Sequence, residues 1–215
     1  MIRLFLLDDH ASFRQALAFM IDREPDMRVV GQAGSLAEAR ATLMPAEIAV
    51  VDLELPDGNG VELVSDFRAS TPEGGVLILT ASRDRREIAR AVEAGAAGVL
   101  NKSAGVEDII DGLRRISEGQ TLMPAQELVE LLRLASSERE HRELIDRRVQ
   151  RLTPREREVL QALADGLNNK EIARQLSITV ETQRTHMVNI LGKLGVHSQL
   201  QALVFAIRHE LVEIR

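Results

Sequence analysis

Five times in the first 118 residues a short apolar run gives way to a segment with helical spacing. The runs cover residues 2–7, 27–33, 48–51, 76–79 and 97–100, too short for buried helices, and 48–51 is wholly apolar, as in a strand buried on both faces. Between them, apolar residues recur at helical intervals, as at Phe13, Ala16, Leu17, Met20 and Ile21. Ser35 followed by Glu38 is a capping box opening the second helix, which Pro45 closes. Strict alternation of this kind predicts a (βα)5 doubly wound parallel sheet. Right-handed crossovers then bring the carboxyl ends of all five strands to one edge. That edge is where open α/β sheets do their chemistry.

Composition narrows the options. The 215 residues contain no Cys, which excludes disulfides, thiolate metal sites and thiol nucleophiles and suits a reducing compartment. No stretch reaches 18 apolar residues, so a soluble, cytoplasmic protein is expected, away from membranes. The net charge of −6 is unevenly spread. Residues 151–215 hold nine Lys/Arg against seven Asp/Glu, so +2, leaving −8 to residues 1–150. Such asymmetry suggests two domains with different partners.

The strand ends carry acids, a hydroxyl and a lysine. Strand one runs into Asp8 and Asp9, strand three into Asp52, strand four into Thr80 and strand five toward Lys102. Singly, each has a plain explanation. Asp52, in IAVVDLELPDGNG at 48–60, reads equally well as a reactive carboxylate or as a cap for the next helix. Jointly they describe a phosphoryl site. Three carboxylates repel one another unless a cation joins them, and oxygen ligands favour Mg2+. A carboxylate can attack phosphorus to give an aspartyl phosphate, while Lys102 and Thr80 contact the phosphoryl oxygens.

Residues 1–118 thus resemble the receiver domain of two-component response regulators, on the motifs LLDDH at 6–10, VVDLELPDGNG at 50–60, LTA at 79–81 and NK at 101–102. The resemblance implies Asp52 as phosphoacceptor, Asp8 and Asp9 as acids around Mg2+, and the backbone carbonyl of Glu54 completing the metal site. It implies Thr80 and Lys102 as binders of the phosphoryl group. Two features depart from it. Val99 stands near the position of a usual Tyr or Phe, in a chain without Tyr or Trp. Glu54 and Ser82 flank the site, each two residues past a key position, where they should tune phosphoryl lifetime.

Residues 119–150 are expected to be a helical linker. Its charged stretch from 136 onward reads as a solvated helix face rather than a pairing coil, because the apolar spacing fades after Leu134. The last segment, 151–215, predicts four helices, at about 154–165, 169–176, 180–194 and 198–211. Thr153-Pro154 with Glu156 marks the first start, and Asn168 or Asn169 caps the second. Ile172, Ala173, Leu176, Ile178, Ile190, Leu191 and Leu194 form a small core between two helices joined by a three-residue turn, as in a helix-turn-helix. On spacing alone a helical bundle for protein contacts serves equally. In the DNA-binding reading the second helix turns Glu181, Gln183, Arg184, Thr185, Val188 and Lys193 outward. Arg184 then reaches a guanine edge or a phosphate, Thr185 and Val188 a thymine methyl, and Lys170, Thr182 and Lys193 phosphates.

LTPREREVL at 152–160 and NKEIARQL at 169–176 resemble the LuxR-type DNA-binding domain, which implies that helix 180–194 lies in the major groove and that the last helix pairs with its twin. Gln183 departs from the usual small β-branched residue, Val188-Asn189 departs beside it, and His186 suits phosphate contact or packing. Together the halves resemble a NarL/FixJ-type response regulator. The implied function is phosphorylation of Asp52 by a sensor histidine kinase, formation of a homodimer, and binding of double-stranded DNA to regulate transcription. The alternative is a phosphorylation-independent regulator whose receiver only dimerises. An enzyme turning over through an aspartyl phosphate is disfavoured, because no substrate-cap insertion interrupts the alternation.

Overall fold

Parallel pairing follows from strands that are apolar on both faces. The computed structural model describes residues 1–42 and 45–214. The chain divides into two compact units, residues 1–138 and 139–215. In the first, β1 (Ile2–Leu7), β2 (Met27–Ala33), β3 (Ile48–Val51), β6 (Gly75–Thr80) and β7 (Gly98–Asn101) form one sheet in the order β2-β1-β3-β6-β7, with every pair parallel. Alternation along β1 splits the core: Phe5 and Leu7 face one layer, Leu4 and Leu6 the other. The first layer is closed by α2 (Leu36–Thr42), α3 (Val61–Ser70) and α4 (Arg85–Glu93). The second is closed by α1 (Ala11–Ile21) and α5 (Val106–Ser117). This is the doubly wound sheet the alternation predicts.

Three details differ from expectation. The loop after Asp52 contains a small antiparallel ladder, β4 (Glu54–Leu55) with β5 (Gly58–Asn59). The capping box of α2 is shared out: Ser35 Oγ accepts the Glu38 N–H, but the Glu38 carboxylate takes the N–H of Gly34. Asp57, from the loop after Asp52, accepts the N–H groups of Leu36 and Ala37 and so caps α2 from a distance. Residues 43 and 44, the rest of the expected second helix, lie outside the described residues.

The expected linker is one helix, α6 (Ala125–Gln150), and the boundary between the units falls within it. Its first half packs on α4. Leu131 and Ala135 are buried against Ala89 and Val92 of α4, with Val99 packed beside them. Arg85–Glu130 and Arg86–Glu138 ion pairs join the same helices.

The second unit holds α7 (Pro154–Ala164), α8 (Asn169–Gln175), α9 (Val180–Leu194) and α10 (Gln199–Arg208) around Val159, Leu160, Ile172, Met187, Ile190, Leu194, Ala202 and Ala206. Thr153 and Asn168 each cap a helix within a complete capping box, which decides the start of α8. Helix α10 ends at Arg208, three residues earlier than expected, where the chain turns through a left-handed Glu210. Arg215, the end of the segment expected to bind DNA, lies outside the described residues. Among them no single helix is long and apolar enough to cross a membrane.

Candidate functional site

The ladder itself positions the acids. Asp8 N–H donates to the carbonyl of Ala33, Asp52 N–H to Leu7, and Lys102 N–H to Thr80, each one residue beyond its strand. The side chains of Asp8, Asp52, Thr80 and Lys102 are thereby fixed along one sheet edge. Gly60 is required there, because a Cβ would lie 1.9 Å from the Asp52 carbonyl oxygen.

Lys102 Nζ sits 2.6 Å from Asp52 Oδ2 and 2.7 Å from Asp8 Oδ2. Burial opposes the lysine's charge, but the hydrogen bonds to Asp52 and Asp8 outweigh it and raise its pKa above the ordinary lysine value. The ammonium also lies 5.4 Å from the centre of the Phe13 ring. Asp52 is 3% exposed, and its second oxygen, Oδ1, is buried with no hydrogen-bond partner among the described residues. Ligand atoms of Asp8, Asp9, His10 and Asp52 all lie within 4.8 Å of one another. This oxygen-rich cluster with an orphaned carboxylate oxygen fits a hard divalent cation such as Mg2+.

Sequence reasoning missed two members of this site. His10 Nδ1 is 2.6 Å from Asp9 Oδ1, and the His10 N–H donates to Asp8 Oδ1. Arg14, one turn into α1, donates to the Asp8 carbonyl. Their only signal was proximity to the paired acids. Glu54 lies on β4 with an exposed side chain.

Thr80 is 1% exposed and accepts the N–H of Ser82 on its hydroxyl oxygen, which leaves the Thr80 proton free to donate elsewhere. Ser82 Oγ donates to Glu87 of α4 at 2.9 Å, and Asn59 donates to the other oxygen of Glu87. A polar chain therefore runs from Thr80 to α4. Val99 takes no part in it and packs in the apolar layers.

In the second unit, Thr179 Oγ accepts the Thr182 N–H and caps α9, closing a four-residue connection from Leu176 that is one residue longer than expected because Leu176 already caps the end of α8. Arg184, Thr185 and Val188 are exposed along α9, with Thr182 and Lys170 exposed near its start. Two expectations fail. Lys193 is held by both oxygens of the buried Glu156, at 2.7 and 2.8 Å, and so is committed to the core rather than to phosphate. Gln183 is fully buried rather than outward, because position 183 falls on the same face as Met187 and Ile190. Along α10, Leu200, Val204 and Ile207 are exposed at helical spacing and form an apolar stripe.

Both units are similar to known proteins. Residues 4–114 match the response regulator receiver domain, and residues 150–206 match the luxR family of bacterial regulatory proteins. The response regulator protein VraR of Staphylococcus aureus (strain NCTC 8325 / PS 47) is 32% identical over 214 residues, covering 99% of both chains. Among solved structures, RcsB from Salmonella enterica serovar Typhimurium, bound to promoter P1flhDC with the phosphomimetic BeF3-, is similar with a TM-score of 0.53 at 22% identity, over 95% of this chain and 97% of its own. A second RcsB structure, from Salmonella typhimurium, gives 0.53 at 21% over 96% and 98%. At these identities the RcsB likeness speaks to the fold.

Proposed function

The chain belongs to the response regulators of two-component systems, carrying a receiver domain and a luxR-family DNA-binding domain, and on that premise we propose that phosphorylation of Asp52 controls its pairing on DNA. One observation carries this reading: Asp52 is buried with one oxygen held by Lys102 and the other without a partner among the described residues. That free oxygen attacks the phosphorus of a sensor kinase's phosphohistidine. The new O–P bond forms as the P–N bond breaks, and the imidazole nitrogen leaves with the electron pair. Lys102 balances charge on the incoming group and Thr80 donates its free proton to a phosphoryl oxygen. Asp8, Asp9, the Asp52 carboxylate and the carbonyl of Glu54 would hold Mg2+, which would offset the negative charge of acceptor and donor.

The signal leaves Thr80 through Ser82 and Glu87 to α4, and from α4 to the first half of α6. The exposed stripe of α10 pairs two chains, and Arg184, Thr185 and Val188 read base edges while Lys170 and Thr182 hold phosphates. Converting a mostly inactive population to a mostly active one requires about 5.5 kcal/mol of differential stabilisation. The protein acts in the cytoplasm. The packing of Val99 under α6 favours a second reading, in which the receiver dimerises without phosphorylation.

Solution mass with Mg2+, measured with and without beryllofluoride beside Asp52→Ala, separates the two. A shift from monomer to dimer in the native chain alone supports phosphorylation control. Equal mass and equal DNA affinity in both states would sink it in favour of the second reading.

A further inference from the structure

Gln183 is a polar side chain at a core position. It is 0% exposed, between buried Met187 and Ile190 on one side of α9 and the start of α8 on the other. Its Nε2 donates to Asn169 Oδ1 at 3.3 Å, and its Oε1 is buried with no partner among the described residues. A buried unpaired amide oxygen destabilises a fold, so an apolar residue of similar volume would pack at least as well here. The same Asn169 oxygen also accepts from Gln199 Nε2 at 3.4 Å. Asn169 opens α8, Gln199 opens α10, and Gln183 sits in the first turns of α9. Three helix starts therefore meet at one oxygen atom. Asn169, Lys170, Arg184 and Gln199 line a common surface groove above it.

Resting on the DNA-binding reading, we infer that Gln183 is a positioning residue for sequence recognition: through Asn169 it fixes the seating of α9 against α8 and α10, and so the placement of Arg184 relative to Lys170. Gln183 touches no DNA. Loss of its amide frees α9 to shift by the small displacements that uncouple base-edge contacts while phosphate contacts persist. Bidentate base contacts are geometrically strict, whereas charge–phosphate attraction is not.

The test uses the full chain with Mg2+ and beryllofluoride. The native protein selects duplexes from a randomised pool, and affinity for the selected duplex is compared with an unrelated duplex of equal length across a salt series. In Gln183→Met, which conserves volume without polar atoms, affinity for the selected duplex is expected to fall about fivefold. Affinity for the unrelated duplex, the salt slope and the melting temperature should not fall. Asn169→Ala should show at least that loss, since it also gives up the Gln199 bond, and adding Gln183→Met to it should cost nothing more, because Gln183 acts through Asn169. An unchanged ratio of the two affinities overturns the inference. So does a parallel fall of both affinities with the melting temperature, which makes Gln183 a core residue only. If the native chain enriches no sequence, the DNA-reading premise fails first and the inference falls with it.

Discussion

At the residue scale, function rests on which side chains are committed and which are free. Thr80 keeps its proton because its oxygen already accepts from Ser82. Thr80→Ala should therefore weaken beryllofluoride binding about tenfold, measured by titration, since a hydrogen bond to a charged group is lost. Lys193 and Lys170 make the opposite contrast. Lys170 is exposed, while Lys193 closes on Glu156. Lys170→Ala should reduce the slope of log affinity against log salt by about 1. Lys193→Met should leave that slope unchanged and instead destabilise the second unit by about 3 kcal/mol in denaturant unfolding, because Glu156 stays buried without its partner. Sequence reasoning named all three residues but misjudged Lys193. Its spacing on α9 was visible, but its partner lies 37 positions earlier in the chain.

Helices and strands, one scale up, were legible wherever the pattern was local. Pro154 and the capping pairs marked the starts of α7 and α8. Helix α6 was not legible in the same way: its charged stretch from 136 onward marked a solvated face, but nothing local showed that Leu131, 2% exposed, packs against α4. Leu131→Ala should cost the first unit about 3 kcal/mol in unfolding, and hydrogen exchange along the first half of α6 should rise. Helix α7 carries a pH dependence. Burial works against ionised Glu156, but Lys193 and Thr153 outweigh it and lower its pKa. A lowered carboxylate pKa adds stability above the ordinary glutamate value of about 4.3, lost as pH falls through the folded-state value. The melting temperature of the second unit should therefore fall below that pH, and less so in Glu156→Gln.

For the whole molecule, the charge division of −8 and +2 matters more than the total. The acidic residues 1–150 oppose DNA electrostatically, so affinity depends on the exposed cations of the C-terminal segment and on pairing of two copies. Leu200→Glu with Val204→Glu should abolish the beryllofluoride-dependent dimer on DNA in gel-shift and mass measurements. Binding by the single copy should remain, because Arg184 and Lys170 are untouched. A dimer that survives both substitutions would remove α10 from the interface.

The sequence by itself determined the βα alternation and the strand-end residues Asp8, Asp52, Thr80 and Lys102, while the helix-turn-helix was legible through the motifs at 152–160 and 169–176 rather than through spacing. Each is written in periodicities, end signals or motifs spanning fewer than about 20 residues. Only tertiary structure decided that Asp52 has one oxygen free among the described residues, that Lys193 belongs to Glu156 and that α6 lies on α4. Those are contacts between segments far apart in the chain. Their geometry is set by packing, which no local pattern encodes.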